Sequence, residues 1–140
     1  MATRQAIRIY VPATGPGLLE SILEFDMSSN DAWVRVLRPD GESCEARGPD
    51  LWECLKGIRN TWEPLGVRIC CNGSRLDCYP SAMTLQMGGG YKVIAREMGR
   101  PVTDLGAVVK IFDPAELEQV GTVREQESYY RSWLASLPKN

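Results

Sequence analysis

The alternation of apolar and polar side chains sets the first expectations. In AIRIYV, Ile7, Ile9 and Val11 share one side while Arg8 and Tyr10 take the other, the period of a half-buried strand, closed by Pro12 and the following Thr-Gly-Pro-Gly. LLESILEFD is ambiguous: Leu19, Ile22 and Leu23 fit a short helix with Glu20 and Glu24 one turn apart outside, and the same residues admit a strand. AWVRVLRPDGE predicts a strand, rich in β-branched and aromatic residues and stopped by the turn-forming Pro39-Asp40-Gly41.

The clearest helix is GPDLWECLKGIRNTWEPLG. Pro49 suits the first helical position, Asp50 complements the N-terminal dipole, and Pro64 with Gly66 supplies the stop. Leu51, Cys54, Leu55, Ile58 and Trp62 form a continuous stripe for packing on a sheet. Gly57 inside it costs about 1 kcal/mol against alanine, which marks either a close helix–sheet approach or a tolerated surface position. VRICCNGSRLDCY predicts a hairpin, with Asn72-Gly73 as the two positive-φ residues of a type I′ turn. PSAMTLQM makes one or two helical turns, with Met83 and Met87 on one face. YKVIARE alternates again, and AVVKIFD is an apolar run expected as an inner strand. The last helix starts on a capping box of Thr122 and Glu125, has Val123, Tyr130, Trp133, Leu134 and Leu137 as its apolar side, and stops at Pro138. The sum is a single α+β domain over residues 1–140. A mostly antiparallel sheet is packed by two main helices, with a short helix before the Gly88-Gly89-Gly90 loop.

Composition narrows the picture. A chain of 140 residues with 44% hydrophobic content can bury a real core without metal or disulfide staples. No stretch approaches the ~18 apolar residues of a membrane span, and MATRQAIRIYVP lacks the flank and apolar run of a secretion signal, so a cytosolic protein is expected. Five cysteines at irregular spacing argue for reduced, buried thiols, and Cys70 and Cys71, being adjacent, point to opposite faces of a strand. With no histidine and no Cys-x-x-Cys pair, no metal and no cofactor are expected. The net charge is −2, but it is unevenly spread. Residues 1–50 carry 5 Lys/Arg against 8 Asp/Glu, residues 51–100 carry 7 against 4, and residues 101–140 carry 4 against 6, or −3, +3 and −2. No sustained basic stripe is present for direct nucleic-acid binding.

Candidate chemistry is sparse. The triple glycine fails the Walker pattern, because Tyr91 separates Gly90 from Lys92 and Val93 stands where a hydroxyl belongs. It also closes a helix and opens a strand, so carbonyls rather than amides face it, the wrong end of the dipole for an anion. A left-handed cap at Gly88 with a tight reversal is expected, and the surplus glycines suggest that something approaches this backbone closely. Without histidine the usual base near pH 7 is missing, and no catalytic residue is assigned. Arg75, Asp77 and Tyr79 alternate along the second arm of the expected hairpin and so share a face. Asp31, Asp40, Glu42 and Glu45, with Asp50 nearby, form either a negative face for a basic partner or a solvated loop.

Three motifs carry a resemblance: Cys71-Asn72-Gly73, Asp77-Cys78-Tyr79-Pro80-Ser81 and Met87-Gly88-Gly89-Gly90, supported by WEPLG, VKIFDPA and YYRSWL. Over residues 50–136 the sequence resembles small bacterial immunity proteins of polymorphic or contact-dependent toxin systems. The resemblance implies no enzymatic activity and a cognate toxin domain as protein partner, often a nuclease, neutralised by direct contact. Cys78 and Tyr91 depart from that pattern, where a β-branched residue and a basic or small one are expected. The partner-binding candidates are Asp31, Asp40, Glu42, Glu45, Arg75, Asp77, Tyr79, Gly88, Gly89, Gly90, Tyr91 and Lys92. Two further readings stand beside it: a small-molecule or nucleotide-binding enzyme using Arg75, Asp77, Tyr79 and Lys92, and a homo-oligomeric structural protein.

Overall fold

A computed structural model describes residues 2–103 and 105–139. Four strands, β1 (Thr3–Tyr10), β2 (Leu18–Ser28), β3 (Asp31–Leu37) and β4 (Ser43–Gly48), run as an antiparallel meander. The two-residue strand β5 (Arg68–Ile69) joins the free side of β1, giving the order β4-β3-β2-β1-β5. The ambiguous LLESILEFD is strand β2: Ser21, Leu23 and Phe25 are buried on the inner face, and Ile22 points to the opposite face with Glu20 and Glu24. Ile7 and Ile9 of β1 and Ala32, Val34 and Val36 of β3 complete that inner face.

Helix α1 (Leu51–Trp62) lies across it, with Leu51, Cys54, Leu55, Ile58 and Trp62 all buried as the stripe predicts. Its start differs by one step from the expectation. Asp50 is the N-cap, its carboxylate accepting from the Glu53 amide at 2.8 Å, so Pro49 precedes the helix rather than opening it. Gly57 marks a close approach: a Cβ there would sit 3.3 Å from the Ala46 methyl of β4.

The expected hairpin at Asn72-Gly73 does not form. Both residues lie in a short 3₁₀ turn (Asn72–Ser74), neither has a positive φ, and the flanking segments diverge into different sheets. The pairing partner of β6 (Cys78–Tyr79) is β7 (Lys92–Ala95), which also pairs with β8 (Val108–Lys110) in a three-stranded sheet of order β6-β7-β8. The AVVKIFD run therefore forms an edge strand, not an inner one. Gly73 is needed for space rather than for its turn, since a Cβ would fall 2.5 Å from Leu55 and 2.6 Å from Ile111. The Asn72 side chain donates to the Lys110 carbonyl at 3.0 Å.

The short helix is α2 (Ala82–Gly88) and the last is α3 (Val123–Ser136). In α3 the Thr122–Glu125 capping box is present, Val123 and Trp133 are buried, and Leu134 is 48% exposed, contrary to its place on the expected apolar side. Gln126 is buried instead. Its amide reaches the carbonyls of Gly73, Arg75 and Cys78, and its oxygen accepts from the buried Arg59 at 2.8 Å. Arg59 also binds Glu63 at 3.3 Å and the Gly73 and Gly121 carbonyls, so one guanidinium joins α1, the 3₁₀ turn and the start of α3. The apolar core is continuous, running from Ile9 and Leu23 through α1 to Val93, Ile111 and Phe112. The molecule is an α+β fold of antiparallel sheets and three helices.

Candidate functional site

The triple glycine is placed by α2. Ser81 and Thr84 cap its start reciprocally, and the helix runs through Gly88. The left-handed cap is at Gly89 (φ 60), not Gly88, and Gly90 (φ 79) continues the reversal. The amides of the turn are used within it: Gly89 bonds to the Leu85 carbonyl, Gly90 to Thr84 and Tyr91 to Gly88, at 3.0–3.1 Å. What approaches the glycines is the protein's own helix. The Gly89 carbonyl accepts from the Leu51 amide at 2.8 Å, and a Cβ on Gly90 would lie 2.9 Å from the Trp52 nitrogen. The loop thus caps α1 from outside, alongside Asp50. That fills the one helix start near it which could hold an anion.

On the other side of the turn, the β2–β3 hairpin tip leans in. Asn30 takes a positive φ of 58, and the Met27 sulfur occupies the space of a Gly89 side chain, since a Cβ there would lie 2.9 Å from it. Met27, Met83, Thr84, Met87, Tyr91 and Lys92 line a groove of about 340 Å³. The three methionines are 39%, 70% and 84% exposed. Tyr91 anchors this wall inward, its ring 6.0 Å from Phe25, which in turn packs 4.9 Å from Phe112. Beyond Met87 a more polar groove of about 410 Å³ runs between Ser28, Ser29, Asn30 and Gln86.

The other sequence candidates do not join this site. Arg75 and Asp77 close on each other in a bidentate pair at 3.0 and 2.8 Å, and that bond raises the Arg75 pKa. Tyr79 leaves them: its ring stacks on Tyr130 at 4.0 Å and meets Trp52 edge-on at 5.2 Å, and burial pushes its phenol up. Of the four residues of the enzyme reading, only Lys92 borders the methionine groove, so they do not form one cluster. The acidic residues are likewise separated. Asp31 opens β3, while Asp40 and Glu42 lie in the turn beyond its far end and Glu45 is on β4. Asp31 pairs with Arg47 at 3.7 Å and Glu45 with Arg35 at 4.0 Å. Asp40 is gripped by Arg38, whose hydrogen bond holds its carboxyl below the usual range. Asp50 is spent on the α1 cap. Exposed Glu42 keeps no ion partner among the described residues, so no continuous negative face results.

The thiols are packing groups. Cys54, Cys70, Cys71 and Cys78 are buried, and burial pushes Cys54 and Cys70 up to about 11 and Cys78 to about 12. No group of three metal-ligating side chains occurs among the described residues, and no helix there is long and apolar enough to cross a membrane.

Sequence reading misses Met27, Met83, Met87 and Lys110 as binding candidates, although it puts Met83 and Met87 on one face of the short helix. Lys110 stands directly opposite Lys92 across β7 and β8, a juxtaposition that appears only once the strand register is known. No family model matches the chain, and no curated protein matches it.

Proposed function

We propose that this chain is a cytosolic immunity protein that binds a cognate toxin domain and neutralises it by direct contact, through the methionine-lined groove beside the glycine turn. The observation that supports the reading is the convergence of Met27, Met83 and Met87, three of the seven exposed large apolar residues among those described, on one groove. Flexible, polarisable thioethers on a surface adapt to a protein partner, and their exposure has no benefit for the isolated fold. The toxin as occupant comes from the resemblance carried by residues 71–90. The reading assigns the chain no catalytic step and no cofactor, in keeping with a glycine turn whose amides are spent internally and with the Arg75–Asp77 pair closed on itself. Co-expression with the toxin domain of the adjacent reading frame tests it. Cells producing both should survive, and Met83→Ser with Met87→Ser should lose that protection while the protein still folds. Equal killing with and without the chain would end the reading.

A further inference from the structure

The register of β7 and β8 sets Lys92 opposite Lys110, and opposed residues of an antiparallel pair project from the same side of the sheet. Both are exposed, and neither has an ion pair among the described residues. This is unlike the larger sheet. There, cross-strand charges are matched: Arg4 with Glu24, Arg8 with Glu20, Arg35 with Glu45 and Arg47 with Asp31. Like charges directly opposed cost a sheet stability, so the Lys92–Lys110 pair is a local conflict of the kind that marks a place a partner completes. Lys92 also lines the groove floored by Met27, Met83, Met87 and Tyr91.

Building on the contact reading above, we infer that the groove takes an acidic segment of the partner protein, an apolar side chain entering among the methionines and a carboxylate bridging Lys92 and Lys110. A free phosphate could satisfy the two ammonium groups but would leave the methionines wet, so the geometry favours a ligand with an apolar and an anionic group side by side. This differs from the negative face that was one of the two readings of Asp31, Asp40, Glu42 and Glu45. The uncompensated charge at the candidate site is positive.

The test combines stability with binding. Lys110→Glu turns the opposed pair into a cross-strand ion pair, so its melting temperature should rise. Its binding of a synthetic peptide carrying leucine flanked by aspartates should weaken about tenfold, the scale of one lost charge contact. Lys110→Arg should bind as the parent does, and binding should fall as salt is raised. Resonances of Met27, Met83, Met87 and Lys92 should shift on titration. The inference is overturned if the aspartate peptide shifts none of them, if a lysine–leucine peptide of the same length binds equally, or if inorganic phosphate displaces the aspartate peptide. Lys110→Glu protein that guards cells from the toxin as well as the parent would also sink the acidic segment while leaving the immunity reading intact. Killing undiminished by the parent protein itself would instead be the failure of that reading.

Discussion

The three glycines of the turn have three different duties, and substitution should separate them. Gly90 combines a φ of 79 with backbone contact to α1, where a Cβ would meet the Trp52 nitrogen at 2.9 Å and nothing flexible can yield. Gly90→Ala should therefore cost about 2 kcal/mol or more in denaturant unfolding. Gly88 is the last helical residue, without a positive φ and with open space where a Cβ would go. Gly88→Ala should be neutral or stabilise by about 0.5–1 kcal/mol in the same measurement. The sequence made the surplus of glycine legible, and with it a close backbone approach. It could not say that the approaching group was a helix start about forty residues earlier, because pattern reports a residue's own element and not its distant neighbour.

Elements whose signals are local were the readable ones. The stripe of α1 and the capping box of α3 are found as expected, since cap and periodicity both lie within a few residues. Strand β2 was ambiguous because a serine, Ser21, occupies a buried inward position while Ile22 faces outward, blurring the alternation. Asn72-Gly73 misled for the opposite reason: a strong local turn signal was overruled by packing, with Leu55 and Ile111 demanding a residue without a side chain. The buried Gln126 shows what such long-range demands are worth. Gln126→Leu would remove its bonds to the Arg75 and Cys78 carbonyls and to Arg59, leave the Gly73 carbonyl with Arg59 alone, and should cost about 2–3 kcal/mol by chemical denaturation. At the start of α3, the hydrogen bonds from Thr122 hold the Glu125 carboxyl below its ordinary value of 4.5. Its contribution is therefore present above that value and lost as pH falls through the depressed one. Thr122→Ala should lower stability at neutral pH by about 1 kcal/mol but keep the backbone amide that Glu125 accepts from, whereas Glu125→Gln, which removes the titrating carboxyl, should flatten the acid limb of the stability curve, read as unfolding midpoints between neutral and strongly acid buffer.

At the scale of the whole molecule, the α+β class was legible, but the division into a five-stranded and a three-stranded sheet was not. That division depends on which strands pair, and neither β5 nor β6, at two residues each, carries enough pattern to announce a partner. The candidate site inherits this limit, since Met27 reaches Met83 and Met87, and Lys110 comes to stand opposite Lys92, only through the packed arrangement of both sheets. The buried thiols give the fold a global signature. In the unfolded chain they ionise near 9.0, whereas burial holds Cys54 and Cys70 up to about 11 and Cys78 at about 12. The folded state thus binds protons that the unfolded state has released. On this account stability should be level below pH 9 and decline as pH rises from 9 towards 12, with Tyr79 and Tyr129 acting in the same direction. A disulfide reagent at neutral pH should modify Cys44, the one half-buried cysteine, well before the other four.

The hydrogen bond from Leu51 to Gly89 has a consequence for the order of assembly. When α1 first leaves the ribosome the strands it packs on already exist, but the carbonyl that accepts from Leu51 does not, so that amide faces water until the turn after α2 emerges. A nascent or truncated chain ending before residue 85 should accordingly show rapid amide exchange at Leu51 and Trp52, which slows when the remaining residues are restored.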